Sequence, residues 1–155
     1  MKLTRQHILA FLKTNKLMQV ATAGDFPWIA TVYYSFDKRL NLYFLSSEKT
    51  LHSKQIKQNP KVSVAIADSR QDIKKPKKGL QLYGLCKEIS GAGKIKHALS
   101  LWKEFLSVDD PELSYENLRK GLTGKIYKIT PKRIKLFDQE LFKDVDDGEE
   151  PVLEL

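Results

Sequence analysis

The pattern of hydrophobic and polar residues along the chain predicts six or seven short β-strands separated by tight turns. Aromatic and β-branched residues dominate residues 28–36, and hydrophobic residues recur with a period of two in residues 61–67. The predicted strands are residues 17–23, 28–36, 40–45, 61–67, 79–89 and 125–137, the last as a strand pair or as one strand bent at Thr130-Pro131. The close spacing of the first three strands is typical of an antiparallel meander.

Helical periodicity is found in four segments outside the predicted strands, which are residues 4–15, 50–58, 95–106 and 112–120. Thr4 is the predicted cap of the first helix, and Thr50 or Ser47 is the predicted cap of the second. Asn59-Pro60 ends the second helix, because a residue before proline avoids the helical conformation. Helices that are segregated from the strands predict an α+β or mainly β fold, with peripheral helices around a barrel-like antiparallel sheet.

The composition is that of an ordinary soluble globular protein, with 41% hydrophobic and 30% charged residues in a chain of 155. We expect one domain over residues 1–140 and an acidic, flexible C-terminal tail at 141–155. No run approaches the roughly 20 apolar residues of a membrane span, and the first residues lack the features of a secretory signal. Cys86 is the only cysteine. It is predicted to pack inside a strand, and its solitary occurrence is typical of a protein of the reducing cytoplasm.

The formal net charge of +8 raises the question of a nucleic-acid partner. The lysines are scattered, and the densest group, Lys74, Lys75, Lys77 and Lys78 around Pro76, is interpreted as a solvated loop between two strands. Contact of this loop with a phosphate group, nucleic acid or a partner chain is the alternative, and the nucleic-acid case depends on charge alone. The overall pattern therefore argues against nucleic acid as the partner.

A hydroxyl-rich turn between two buried strands is the strongest chemical signal in the chain. The segment from Asn41 to Ala67 reads as a strand, a turn, a helix start, an Asn-Pro stop and a second strand. The turn holds Ser46, Ser47, Thr50, His52 and Ser53, with Lys49 and Lys54 beside them. Hydroxyls, free backbone N–H groups at a helix N-terminus and cations favour a phosphate group. Simple capping by Thr50 and Ser47 is the structural alternative for the same residues.

The order of these segments resembles the pyridoxamine-phosphate-oxidase-like, FMN-binding split-barrel family. The matching pieces are the leading helix and the segments LMQVATAGDFPWIATVYYSFD, LYFLSSEKTLHSKQIKQNPKVSVAI, GLQLYGLCKEI and KIYKITPKRIKLF, over roughly residues 3–138. The resemblance implies a six-stranded antiparallel split β-barrel that forms a homodimer, with flavin mononucleotide (FMN) in a groove at the subunit interface.

The resemblance also implies which residues contact the cofactor. The isoalloxazine ring would lie along the second and third strands of the family fold, and the ribityl chain and phosphate would lie at the turn and helix after the third. In this sequence these positions are Ala30, Thr31, Val32, Tyr33, Tyr34 and Ser35 for the ring, and Leu45, Ser46, Ser47, Lys49, Thr50 and His52 for the ribityl chain and phosphate. Phe137 falls where some members place a tryptophan near the flavin. Backbone contacts along the second strand are expected to matter more than any single aromatic side chain.

Two departures separate this chain from pyridoxamine-phosphate oxidase itself. The oxidase has an arginine in the phosphate turn where this chain has Leu51, so a bidentate cation is missing. The stretch DQELFKDVDDGEE lacks the family's Arg-x-His substrate clamp. We therefore expect an FMN-binding protein, an oxidoreductase of unknown small-molecule substrate, and not a vitamin B6 oxidase.

The alternative function is a non-enzymatic dimer that binds another planar ligand, haem or a different flavin, in the same groove. His52 or a residue of the C-terminal tail is then the candidate axial ligand of a haem. His7 and His97 lie on separate predicted helices, so the sequence predicts no other metal site.

Overall fold

The computed structural model describes residues 1–143 and 151–155. Its helices are α1 (Arg5–Leu12), α2 (Leu51–Gln58), α3 (Ala92–Leu106) and α4 (Tyr115–Arg119). Its strands are β1 (Leu17–Thr22), β2 (Trp28–Tyr33), β3 (Ser35–Phe36), β4 (Leu42–Ser46), β5 (Lys61–Ile66), β6 (Lys78–Glu88), β7 (Lys125–Asp138) and β8 (Val152–Glu154). The predicted helix caps are confirmed, since the Thr4 hydroxyl accepts a hydrogen bond from the His7 N–H at 3.4 Å and Asn59 closes α2.

The strands form one antiparallel sheet in the order β2-β1-β5-β6-β7-β4-β3, with β8 added beside β7. The two ends of this order, β2 and β3, are joined along the chain by Tyr34 alone. Since neighbouring Cα atoms are about 3.8 Å apart, the sheet curls until its ends meet. The pairings among the described residues include none between β2 and either β3 or β4. The barrel therefore has an open seam, and the split-barrel prediction is confirmed.

The hydrophobic core fills the inside of the barrel. Alternate residues of the strands point inward, among them Met18, Val20, Phe44, Val62, Val64, Ile66, Leu80, Leu82, Ile129, Ile134 and Leu136. Helix α1 packs Ile8 and Leu12 into the same core, and neither side chain has more than 1% of its surface exposed. Burial of these apolar side chains is the main force that stabilises the fold.

The predicted meander of the first three strands is confirmed in its pairings, but it is bent. The predicted strand 28–36 is divided at Tyr34 into β2, which pairs with β1, and β3, which pairs with β4. Its two hairpins therefore lie at opposite ends of the sheet order. This division and the added β8 give eight strands instead of the expected six.

Residues 125–138 form one continuous strand of 14 residues, β7, which agrees with the predicted single bent strand and not with the predicted strand pair. A bulge shifts its register with β6, since Tyr83 pairs with Arg133 whereas Gly84 pairs with Pro131. The extra residue bends β7, as β-bulges do, without ending the strand. Proline at this position lacks an N–H, and a bulge is one of the few places in a sheet that accommodate it.

The structure describes residues 141–143 and 151–155 of the predicted C-terminal tail. Phe142 is buried, and β8 pairs with the second half of β7, with Leu153 opposite Ile134. The pairing gives hydrogen-bond partners to backbone groups of β7 that β4 does not reach. The most acidic part of the tail, residues 144–150, lies outside the described residues.

The buried hydroxyl of Tyr34 supplies a test of how the seam is held. It donates a hydrogen bond to the Leu12 carbonyl at 2.7 Å, and none of the side chain is exposed. Tyr34→Phe is expected to lower the free energy of unfolding by about 1 kcal/mol, because the carbonyl loses its donor. Tyr33→Phe is the matched control, since its side chain is 56% exposed. Urea unfolding of both variants checks this, and equal stabilities would contradict it.

Candidate functional site

The turn between β4 and α2 is fixed by its own hydroxyls. The Thr50 hydroxyl accepts a hydrogen bond from the Ser53 N–H at 3.3 Å and lies 2.9 Å from the Ser47 carbonyl oxygen. The Ser47 hydroxyl accepts from the Lys49 N–H at 3.2 Å. Thr50 is therefore the cap of α2, and the Ser47 hydroxyl closes the turn before it, so the N–H groups of Ser53 and Lys49 are not available to a ligand in this arrangement.

The N–H groups of Leu51 and His52 at the start of α2 have no acceptor among the described residues, because a helix offers none to its first residues. The first turn of α2 carries no acidic residue. The positive end of the helix dipole and these two donors together favour an anion. Leu51, which stands where the oxidase has arginine, has 47% of its surface exposed.

His52 is held against the end of β4. Its Nε2 lies 2.7 Å from the Ser46 Oγ, and its ring lies 6.4 Å from the Phe44 ring. Burial lowers the pKa of His52 below its ordinary value of 6.5, so the imidazole is neutral at pH 7. A neutral imidazole offers one donor and one acceptor. His52 therefore acts in this site by hydrogen bonding and not as a point charge.

A cavity of about 450 Å³ adjoins the turn. It is lined by residues 45–49 and by residues 121–125, with Glu48 as the carboxylate among them. The Thr123 hydroxyl is buried and has no hydrogen-bond partner among the described residues. A buried hydroxyl without a partner costs free energy, so its place in a cavity lined with serine and lysine residues fits a polar ligand.

Strand β2 is an exposed edge of the sheet with large apolar side chains. Trp28, Ile29 and Tyr33 are 49%, 61% and 56% exposed. Its pairing with β1 engages one edge and leaves the N–H and C=O groups on the other edge toward the seam. Ala30 and Val32 are half-buried, and Thr31 is exposed. The strand therefore offers both backbone hydrogen-bonding groups and an apolar surface.

Two residues of the predicted ring site are not accessible as side chains. Tyr34 and Ser35 both have 0% of their surface exposed. Tyr34 is in the core because the seam is joined there, and Ser35 pairs with Tyr43 of β4. Of the residues predicted at 30–35 to contact the ring, only the side chains of Ala30, Thr31, Val32 and Tyr33 are therefore accessible to a ligand.

Phe137 lies on the outer face of the sheet, away from the turn at residues 46–52. Its neighbour Leu136 is in the core, so the alternation of β7 directs Phe137 outward, over Gly79 of β6. A second cavity of about 410 Å³ lies on this outer face of β1, β5, β6 and β7. Its lining reaches from Ile29 of β2 to Lys135 of β7. Within one chain, Phe137 and the turn do not form a common site.

Sequence analysis missed Gln55, which connects the turn helix to the first hairpin. Its side-chain oxygen accepts from the Thr22 hydroxyl at 2.6 Å, and its side-chain nitrogen donates to the Phe26 carbonyl at 3.2 Å. These contacts fix α2 beside β1 and β2. No local signal identifies them, because both partners are about 30 residues away in the sequence.

The other chemically reactive candidates have structural surroundings. Burial raises the pKa of the Cys86 thiol to about 12, which leaves it protonated and confirms its interpretation as a packed residue. The His7 ring contacts Phe142, and no group of metal-binding side chains is found in residues 1–143 and 151–155. None of the described helices is long and apolar enough to span a membrane.

Two lysines of the loop before β6 make contacts within the protein. The Lys77 Nζ donates to the Ile73 carbonyl at 2.8 Å, and Lys78 forms an ion pair with Glu140 at 2.9 Å. These contacts order the loop and favour its interpretation as a surface connection between strands.

Comparisons with known proteins agree with this architecture. The protein is similar in structure to a Clostridium acetobutylicum protein related to general stress protein 26 (pyridoxinephosphate oxidase family), with a TM-score of 0.67 and 14% identity over 99% of this chain and 97% of that one. It is similar to a NimC/NimA family protein of the same organism, with a TM-score of 0.66 and 18% identity over 97% and 92%. It is also similar to a haem-binding protein of Mycobacterium smegmatis, with a TM-score of 0.72 and 14% identity over 99% of this chain and 59% of that one.

A comparison with curated protein sequences gave no match. The model of the pyridoxamine 5'-phosphate oxidase family matches residues 4–137, which is most of the chain and coincides with the split barrel. Members of this family commonly bind flavin and are typically dimeric. The chain belongs to the pyridoxamine 5'-phosphate oxidase family.

Proposed function

We propose that this protein binds FMN and acts as a flavin-dependent oxidoreductase on a small-molecule substrate. The observation that carries the proposal is the start of α2, where the free N–H groups of Leu51 and His52 lie beside the Ser46–His52 pair. These donors would bind a phosphate, and the first turn of α2 carries no acidic residue that would repel it. In this proposal residues 1–140 are the flavin-binding domain of a cytoplasmic protein.

The phosphate would be held mainly by hydrogen bonds. The Ser46–His52 pair keeps one donor hydrogen free of its mutual contact, the helix amides supply further neutral donors, and Ser47, Lys49 and Leu45 line the adjoining cavity. The unpartnered Thr123 hydroxyl in that cavity is a further donor. Thr50 contributes by fixing the helix start. Lys49 adds a positive charge without the two-pronged geometry of arginine.

The ring would lie along the open edge of β2. Backbone groups of Ala30, Thr31, Val32 and Tyr33 match the donors and acceptors on the pyrimidine edge of an isoalloxazine. In this proposal a second copy of the chain completes the site in two ways. It would cover the exposed side chains of β2, and its Phe137 would come to the ring that Phe137 of the same chain does not reach.

The bound flavin would supply the electron and hydride transfer, and the protein would orient the ring and exclude water. No side chain is assigned as a catalytic acid or base. Leu51 in the phosphate turn and the absence of an Arg-x-His clamp from residues 138–150 of the sequence argue against pyridoxamine-phosphate oxidation.

The second candidate is a binding protein for haem or another planar ligand. The haem-binding relative of the same fold and the neutral imidazole of His52 favour it. A haem ligand at Nε2 would have to displace the 2.7 Å contact with Ser46. FMN makes no such demand, which is why we place it first.

The test is a visible-absorption titration of the purified protein with FMN and, separately, with haemin. We expect a flavin spectrum that shifts on binding, a dissociation constant of about 1 μM or below, and the mass of a dimer in solution. His52→Ala is expected to weaken FMN binding by about tenfold, because a hydrogen bond to a charged group is lost. The matched control, His97→Ala, changes an exposed histidine of α3 and leaves binding unchanged.

A protein that stays colourless and gives no spectral change with FMN would contradict the flavin proposal. A haem spectrum with a shifted Soret band, which is lost in His52→Ala, would establish the second candidate in its place.

A further inference from the structure

A third cavity, of about 330 Å³, is surrounded by positive charge. It lies between the end of β6, the middle of β7 and the start of α3. Four lysines line it, Lys87 from β6, Lys128 and Lys132 from β7, and Lys94 from α3. Its lining shares no residue with the FMN turn or with β2. We call this the lysine cavity.

The arrangement of the lysines works against folding stability. Lys87 and Lys128 are directly opposite each other in the pairing of β6 with β7. Like charges in this position repel and destabilise a sheet. A concentration of like charge that folding alone does not favour is typical of a surface that binds an oppositely charged ligand.

Little negative charge balances the lysine cavity from within. Glu88 is the carboxylate in its lining, and it already forms an ion pair with Lys125 at 3.6 Å. The first turn of α3 carries no acidic residue, and its cap, Gly91, makes no side-chain hydrogen bond. The positive end of the α3 dipole therefore adds to the charge of the lysines.

We propose that the lysine cavity binds an anion with two or three linked phosphate groups, such as pyrophosphate or the polyphosphate of a nucleotide. Four cations match the charge of such a group, and a single phosphate would leave most of them unneutralised. The size is at the lower end of the range for small-molecule sites, which is about 300–1,000 Å³. A basic group confined to one strand pair and the start of a helix, and not an extended basic stripe, favours a compact anion over a nucleic-acid strand.

The experiment uses isothermal titration calorimetry of the full chain with sodium pyrophosphate, and with orthophosphate for comparison. We expect pyrophosphate to bind at least about tenfold more tightly than orthophosphate, and its affinity to fall as salt is added. The double variant Lys87→Gln/Lys128→Gln is expected to lose at least about tenfold in pyrophosphate affinity. Lys74→Gln/Lys75→Gln removes the same charge from an exposed loop and is expected to change it by less than about twofold.

Two further readouts separate binding from folding and from the flavin site. Without ligand, Lys87→Gln/Lys128→Gln is expected to have a higher Tm than the unaltered protein, because the opposed charges are gone. Its FMN titration is expected to be unchanged, so a failure of the flavin proposal leaves this one testable.

Three results would overturn the proposal. The first is no heat of binding with pyrophosphate at low salt. The second is an equal loss of affinity in the two double variants, which would indicate diffuse attraction by net charge. The third is tighter binding of a single-stranded oligonucleotide than of pyrophosphate, with the loss in the Lys74/Lys75 variant, which would indicate a nucleic-acid surface.

Discussion

Gly84→Ala is expected to lower the free energy of unfolding by about 3 kcal/mol. A Cβ atom at Gly84 would lie 2.8 Å from the Pro131 Cα and even closer to the Thr130 carbonyl oxygen. Both are backbone atoms of the bulge in β7, so no side-chain rotation relieves the contact. Urea unfolding of the variant measures the effect, together with the loss of the native near-ultraviolet circular dichroism.

Gly93→Ala is the matched control for this prediction. Gly93 lies in the first turn of α3, and an added Cβ there meets no atom within 4 Å. Alanine favours the helix over glycine by roughly 1 kcal/mol, so this variant is expected to be as stable as the unaltered protein or slightly more stable. Equal loss in the two variants would contradict the assignment of the bulge as a close backbone contact.

Leu51→Arg is expected to tighten FMN binding by at least about tenfold, since a charge-assisted bidentate pair contributes roughly 1.5–3 kcal/mol. Leu51 occupies the first position of α2 and is half exposed, so the longer side chain can be accommodated without disturbing the core. A gain in affinity is informative because misfolding does not produce it. Fluorescence quenching of FMN on titration with each protein gives the dissociation constants.

The control adds the same charge elsewhere. Ile73, in the loop before β6, is 81% exposed and does not line the cavity beside the turn, and Ile73→Arg raises the net charge by the same amount. It is expected to leave FMN affinity within about twofold of the unaltered protein, because an exposed charge at a distance is screened. If both arginine variants improve binding equally, the turn at residues 46–52 is not where the phosphate lies.

The parts of the fold that the sequence predicts well are those with local causes. Thr4 and Thr50 cap helices through hydrogen bonds to residues three positions away, and Asn59-Pro60 ends α2 through the conformation of a single peptide unit. The turn at residues 46–52 is predictable for the same reason. Its hydroxyls and its helix start lie within one short segment.

The parts that the sequence does not predict depend on distant partners. The division at Tyr34 follows from closure of the barrel, and β8 is visible only once the unpaired half of β7 is known. The contacts of Gln55 join residues far apart in the sequence. The pairing of Phe137 with Gly79 also follows from the long register of β6 with β7, which no local pattern fixes.

The short strand β8 governs how the protein tolerates changes at its C-terminus. It shields the backbone of Arg133 to Lys135, and the Leu155 N–H bonds to the Lys132 carbonyl at 2.9 Å. Removal of the last five residues would bare a row of N–H and C=O groups that can recruit a strand from another molecule. Self-association through these exposed groups could be mistaken, in a mass measurement, for the dimer proposed with FMN. Affinity tags and fusions therefore belong at the N-terminus.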